Sequence, residues 1–75
     1  VVLIDEVLGK VYMIFLHNGV LTLHEVNTNT GNIGDPIIIP NFAFVEKCKV
    51  NDGFLYFLYK ENTFIEYKKL YRMKI

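Results

Sequence analysis

The apolar residues of this chain fall into short runs separated by clusters of turn-forming residues. Two of the runs match each other. Residues 9–15 and 53–59 each consist of a glycine followed by β-branched, aromatic and aliphatic residues with almost no polar interruption. Such runs are typical of β-strands that are covered on both faces. The offset between the two glycines is 44 residues, so the pattern predicts two copies of one strand-based unit.

The rest of the pattern predicts an all-β chain, an antiparallel meander of about seven strands. Tight turns are predicted at Asn18-Gly19 and Asp52-Gly53, because these dipeptides tolerate positive φ angles. The run 37–39 lies between Pro36 and Pro40, which lack a backbone N–H, so we expect an outer edge strand there. No segment has the 3.6-residue period of a helix. The predicted strands are residues 1–5, 11–16, 20–27, 37–39, 44–50, 54–59 and 70–75.

Composition adds a constraint on burial. The chain has 75 residues, of which 52% are hydrophobic and 15% are aromatic. A chain of this length has a high surface-to-volume ratio, so its own core has little room for so many apolar side chains. We therefore predict that part of the apolar surface faces a partner, and that the chain alone is not a stable monomer.

Charge and cysteine content narrow the possible partners. Eight basic and eight acidic residues cancel, so neither nucleic acid nor an anionic membrane surface is predicted as a partner. No apolar run approaches the roughly 20 residues of a membrane-spanning helix. The single cysteine, Cys48, forms neither an internal disulfide nor a multi-cysteine zinc site. No cofactor is predicted. Because the chain begins at Val1 without a charged and apolar leader, we expect an internal or processed segment.

Three motifs carry a resemblance to a known architecture: Gly9-Lys10-Val11-Tyr12, Asn29-Thr30-Gly31 and Asp52-Gly53-Phe54-Leu55-Tyr56. With a period typical of four-stranded propeller units, the chain resembles the C-terminal blades of bacterial six-bladed β-propellers of the NHL and TolB-like kind. The resemblance implies a first blade of four strands over 1–40 and an incomplete second blade of three strands over 41–75.

In such propellers the first strand of each blade lines a central channel and the fourth lies outside. The resemblance therefore implies that 1–5 and 44–50 are channel strands, and that another segment donates the missing outer strand. Other blades, from the same longer chain or from copies of it, are the implied partners. A periplasmic or cell-surface location also follows from the resemblance.

Loops at one end of a propeller usually bind its ligands, and loops on a rigid scaffold often carry function. We accordingly expect three loops to gather at one end and to face a ligand. Their candidate residues are His17, Asn18, Asn41, Phe42, Lys60, Glu61 and Asn62.

Other chemically interesting groups have weaker patterns. His17 and His24 lack a third ligand at metal spacing. Cys48 lies between two lysines that should point to the opposite face, so an inert buried thiol is expected. The polar residues around Gly31 contain too few carboxylates for a calcium loop. Four tyrosines could form an aromatic recognition platform, but aromatic residues in strands are more often part of the core, with the hydroxyl reaching water or a partner; they are Tyr56, Tyr59, Tyr67 and Tyr71.

The sequence favours a non-enzymatic structural or binding fragment of a β-propeller, which completes a ring with a longer protein or by self-association. An alternative is part of a propeller enzyme acting on glycans or esters, with its catalytic residues outside this chain. A third possibility is a self-sufficient β-meander dimer. No nucleophile elbow, phosphate-binding glycine loop or dinucleotide fingerprint is present.

Overall fold

A computed structural model describes residues 1–40, 45–61 and 67–75. These residues form seven antiparallel strands in two sheets, and no helix among them has the length and apolar character needed to cross a membrane. The all-β prediction is confirmed. The strands are β1 (Val2–Asp5), β2 (Lys10–His17), β3 (Val20–Val26), β4 (Ile37–Ile39), β5 (Val45–Asn51), β6 (Phe54–Tyr59) and β7 (Lys69–Lys74).

The two sheets are consecutive along the chain. The first has the order β1-β2-β3-β4 and the second the order β5-β6-β7, so each is a meander in which neighbours in sequence are neighbours in space. Strands β4 and β6 have the predicted bounds, and the others differ from prediction by at most one residue at each described end. The run between the two prolines is an edge strand, as predicted.

Local turn chemistry explains why the strands reverse where they do. The hairpin between β2 and β3 turns through Asn18 and Gly19, with φ angles of 48° and 76°. The hairpin between β5 and β6 turns through Asp52 and Gly53, with φ angles of 50° and 78°. Positive φ at both central residues is the requirement of a two-residue hairpin loop, which Asn-Gly and Asp-Gly meet with little strain.

The longer loop after β3 is held by its own polar groups. The Asn27 side-chain oxygen accepts hydrogen bonds from the backbone N–H groups of Asn29 and Thr30. The Asn27 carbonyl accepts one from Gly31 N, whose φ is 76°. An Asn that bonds the backbone two and three residues ahead forms an Asx turn. Asn27 therefore acts as a turn former, which is the simpler of the two interpretations of this stretch.

The core lies between the two sheets. Alternate residues of each strand point to opposite faces of a sheet, and the inner faces are those that meet. Register places Leu3, Tyr12 and Glu25 in one row of the first sheet, and Val50, Leu55 and Met73 in one row of the second. The residues buried most completely in this core are Tyr12, Leu23, Ile39, Val50, Leu55 and Phe57.

One expectation about β2 is met on only one of its faces among the described residues. Its apolar run predicted a strand covered on both faces, but only the face with Tyr12 and Ile14 lies against the second sheet. The opposite face carries Val11, Met13 and Phe15, and Phe15 is exposed. The sequence pattern thus predicts more complete burial of β2 than these two sheets provide.

The total surface points the same way. The chain exposes 5377 Å², whereas a folded monomer of its mass, 8.8 kDa, is expected to expose about 4,800 Å².

The core assignment predicts unequal costs for two chemically identical substitutions. Leu55→Ala, at a side chain that is 0% exposed, should lower the free energy of unfolding by about 2–5 kcal/mol, because it removes packing contacts and leaves a cavity. Leu16→Ala, at a side chain that is 68% exposed, should change it by less than about 0.5 kcal/mol. Urea unfolding at one fixed protein concentration measures both. Equal losses for the two variants would contradict this core.

Candidate functional site

The most completely engaged polar side chain described is the carboxylate of Asp5, which is 0% exposed and lies at the end of β1. Its Oδ1 accepts hydrogen bonds from Val7 N and Leu8 N, both at 3.1 Å. Two further donors come from the other sheet: Asp52 N lies 3.0 Å from Oδ1 and Gly53 N lies 2.7 Å from Oδ2. One carboxylate therefore joins the β1–β2 turn to the β5–β6 turn.

The geometry of the two turns makes this site. In the β5–β6 hairpin, positive φ at Asp52 and Gly53 directs two successive N–H groups to one side of the backbone, an arrangement that binds anions. Leu8 from the other turn lies close, since a Cβ added at Gly53 would be 3.5 Å from Leu8 Cδ1. Asp5 thus meets preformed backbone donors in a closely packed junction.

The electrostatics of Asp5 follow from the same contacts. Burial by itself would raise the pKa of this carboxyl group. Four backbone N–H donors, first that of Gly53 and then those of Leu8, Asp52 and Val7, outweigh burial and hold the pKa below its usual value of 3.8. Asp5 is therefore ionised at neutral pH, and its charge is stabilised entirely by backbone dipoles.

Four of the predicted ligand-facing residues lie at the end of the sheets opposite Asp5, because β2 and β6 both run away from the Asp5 junction. His17 and Asn18 form the β2–β3 turn, where Asn18 Nδ2 donates to His17 Nε2 at 3.3 Å. Lys60 pairs with Glu46 at 3.4 Å. The other three predicted residues, Asn41, Phe42 and Asn62, lie outside the described residues.

The charged members of this group are tied to the second sheet. Glu61 pairs with Lys69, and Glu46 accepts from both Lys60 and Lys68. The hydrogen bond from Lys68 is the main reason that the pKa of Glu46 is lowered. Glu46 lies in β5 and Lys69 in β7, so these ion pairs join the described ends of β6 and β7 to neighbouring strands.

The two histidines are engaged separately. His24 Nδ1 lies 2.9 Å from the Gly34 carbonyl, to which it donates. In the neutral ring its Nε2 therefore accepts from the Thr22 hydroxyl, also at 2.9 Å. The ring of Phe15 meets that of His24 edge to face, with centroids 5.2 Å apart. The described residues contain no group of three His, Cys, Asp or Glu side chains that could hold a metal ion.

Cys48 behaves as its place in the strand predicts. It packs against the core on the inner face, while Lys47 and Lys49 point outward and line a surface depression. Burial raises the pKa of the Cys48 thiol to about 11. The neighbouring lysines therefore do not activate it.

The four tyrosines do not form one platform. Tyr71 packs against the core on the inner face, and strand alternation puts Tyr59 on that side as well. Tyr56 lines the depression on the outer face, and Tyr67 is exposed outside the strands. The aromatic-platform interpretation is wrong for these four tyrosines as a set. Tyr56 belongs instead to a larger surface that does not include the other three.

That surface is the outer face of the second sheet, which no sequence pattern predicted. Strand register arranges it in rows across β5, β6 and β7, with apolar and aromatic side chains in the centre and cations at both sides. A depression of about 270 Å³ lies among Lys47, Lys49, Tyr56, Leu58 and Leu70. The members of this outer face are Lys47, Lys49, Asn51, Phe54, Tyr56, Leu58, Leu70, Arg72 and Lys74.

The Asp5 junction predicts a specific pH dependence. Because the folded-state pKa of Asp5 is depressed, its contribution to stability is fully present above the unfolded pKa, about 3.9, and is lost as pH falls through the folded pKa. Asp5→Asn replaces one carboxylate oxygen, an acceptor, with an NH2 group, a donor that would face backbone N–H groups. It should lower the urea midpoint at pH 7, and the gap to wild type should narrow at acid pH.

The control for this prediction is Glu6→Gln, which removes the adjacent exposed carboxylate. It should leave the urea midpoint at pH 7 and its pH profile close to those of wild type. If Asp5→Asn and Glu6→Gln give the same profile, the junction does not stabilise the fold.

Burial of Cys48 predicts slow alkylation. At pH 8, the rise in pKa from 9.0 to about 11 lowers the thiolate fraction about a hundredfold, and the alkylation rate falls with it. Iodoacetamide labelling followed by mass spectrometry should be slow in the native chain and fast in denaturant. Equal rates in the two conditions would show that the thiol is not buried.

The comparisons with known proteins provide no precedent for the Asp5 junction or for the outer face of the second sheet. No protein-family model matches the chain, and neither the curated proteins nor the solved structures contain a match. The function therefore has to be argued from the contacts of this chain itself.

Proposed function

We propose that this chain is a non-enzymatic structural and binding module of the β-propeller type. In this proposal its two sheets are consecutive units of a ring, and further sheets complete that ring. One observation carries the proposal: residues that match in the repeat point in the same direction in the two sheets.

The direction follows from the register. At the offset of 44 residues, Tyr12 matches Tyr56 and Ile14 matches Leu58. Tyr12 and Ile14 point from the first sheet towards the second, whereas Tyr56 and Leu58 point away from the first sheet. Two units related by a two-fold axis would instead bring matching residues together. The sheets are therefore stacked head to tail.

Head-to-tail stacking repeats one kind of interface, and it closes into a ring when the rotation between units allows. Continued in the same sense, it would place a third sheet over Tyr56 and Leu58. A preceding sheet would lie on the outer face of the first sheet, which consists of the side chains on β1 to β4 that point away from the second sheet. These are Val2, Ile4, Val11, Met13, Phe15, His17, Val20, Thr22, His24, Val26 and Ile38.

The character of that outer face supports coverage. It carries no Asp, Glu, Lys or Arg, and several of its apolar side chains are exposed, with Ile38 at 72%. Contiguous apolar surface of this kind marks an interaction site. The buried Asp5 carboxylate joins two turns and the half-buried Cys48 thiol packs against the core, which supports a structural role.

The edge of the second sheet gives further support. In the first sheet β4 covers the edge of β3 and places Ile39 in the core. Among the described residues no strand takes the corresponding place beside β7. An open edge accepts a strand from another segment. A propeller blade that is completed by another part of its ring requires such an open edge.

The test uses the outer face of the first sheet. Isolated chains should associate at micromolar concentration by pairing the outer faces of their first sheets, because this apolar face lacks its covering sheet. The double variant Ile4→Lys/Ile38→Lys should be monomeric and keep the β-type circular dichroism spectrum, since both side chains are exposed. Size-exclusion chromatography with light scattering measures the mass.

Val7→Lys is the control, because Val7 is also exposed but lies in the β1–β2 turn, away from this face. It should associate as wild type does. A well-folded wild-type monomer at micromolar concentration would contradict the proposal.

A further inference from the structure

The outer face of the second sheet differs from the other exposed face in charge. Register gives the rows Lys47–Leu58–Leu70 and Lys49–Tyr56–Arg72 across the sheet, and pairs Phe54 with Lys74 in the next row. Cations therefore flank an apolar and aromatic centre on both sides. These three rows contain no carboxylate, and the nearest one, Glu46 at the β-bulge beside Lys47, is already paired with Lys60 and Lys68.

Its four cations have no ion pair among the described residues. Lys10 pairs with Glu25, and Lys69 with Glu61, while Lys60 and Lys68 share Glu46. None of these carboxylates is shared with the cations of the outer face. Those cations are Lys47, Lys49, Arg72 and Lys74.

This separation of charge argues against a second copy of the chain as the covering sheet. Head-to-tail stacking of copies would place the outer face of the second sheet against that of the first, which carries no charged residue. The four cations would then be buried without carboxylate partners, and burying an unpaired charge is strongly unfavourable. The partner must supply negative charge.

The aromatic geometry favours protein over single-stranded nucleic acid as the source of that charge. Stacked bases need free ring faces, but the Arg72 guanidinium lies 4.6 Å from the centroid of the Phe54 ring and covers one face. The rings of Phe54 and Tyr56 are tilted by 50° with centroids 6.5 Å apart. The depression is lined on one side by aliphatic Leu58 and Leu70, which suit an apolar side chain.

We propose that the outer face of the second sheet docks an acidic polypeptide of different sequence from this chain. Its apolar side chain enters the depression between Lys49 and Leu70, and its Asp or Glu side chains pair with the flanking cations. An apolar centre with Arg and aromatic residues is typical of protein interfaces. This inference rests on the proposed function and names the chemistry of the unit that covers the second sheet.

The experiment measures fluorescence anisotropy of short labelled peptides added to the full chain. A peptide that alternates Glu and Leu should bind saturably, and binding should weaken as salt is added. Peptides that alternate Lys and Leu, or Glu and Ser, should bind much more weakly. The first lacks the negative charge, and the second lacks the apolar side chains. A labelled oligothymidylate is the nucleic-acid probe.

Matched double variants locate the site. Lys49→Gln/Arg72→Gln should weaken binding of the Glu/Leu peptide at least about tenfold, equivalent to about 1.4 kcal/mol. Lys10→Gln/Lys69→Gln removes the same charge from paired lysines elsewhere and should leave affinity unchanged. Both variants should keep the wild-type urea midpoint within error, because the substituted side chains are exposed or half-buried.

Three results would each overturn the inference: no saturable binding of the Glu/Leu peptide, an equal loss in the two double variants, or tighter binding of oligothymidylate than of the acidic peptide. These outcomes are separate from the association test, which uses the outer face of the first sheet. A chain that associates through that face but ignores the peptide would retain the stacking proposal and lose only this one.

Discussion

A single buried carboxylate fixes how the two sheets of this protein meet. Asp5 accepts two hydrogen bonds from its own turn and two from the turn of the second sheet. A buried anion is tolerated only when its oxygens are satisfied, so the junction aligns the ends of β1 and β5. With those ends aligned, Tyr12 and Leu55 both lie in the core.

This alignment has consequences at both exposed faces. Because the sheets stack in the same sense, the first sheet buries one face in the core and the second sheet buries the opposite face. The two faces that stay exposed are therefore not equivalent, and they are chemically different. The first is apolar and uncharged, whereas the second is apolar only at its centre and is flanked by cations such as Lys49 and Arg72. The chain therefore presents two distinct surfaces, which suits a position between unlike neighbours better than a ring of identical copies.

Much of the fold could be predicted because it depends on local chemistry. Apolar alternation, the two hairpin dipeptides and the bracketing prolines gave all seven strands. The sequence also showed that Asp5 precedes a turn, which accounts for its bonds to Val7 and Leu8. Its bonds to Asp52 and Gly53 could not be predicted, because they depend on which turn of the second sheet lies beside β1. The cationic face could not be predicted either. A net charge of zero does not show which lysines lie beside carboxylates and which have no carboxylate partner among the described residues.

Amide hydrogen exchange followed by NMR can show whether the Asp5 carboxylate holds the two turns together. Asp52 N–H and Gly53 N–H belong to a hairpin turn, where exchange is usually fast, but here both donate to a buried carboxylate. The account predicts that both amides exchange as slowly as those of core strand β6. Exchange of both at the rates of an unprotected turn would contradict it.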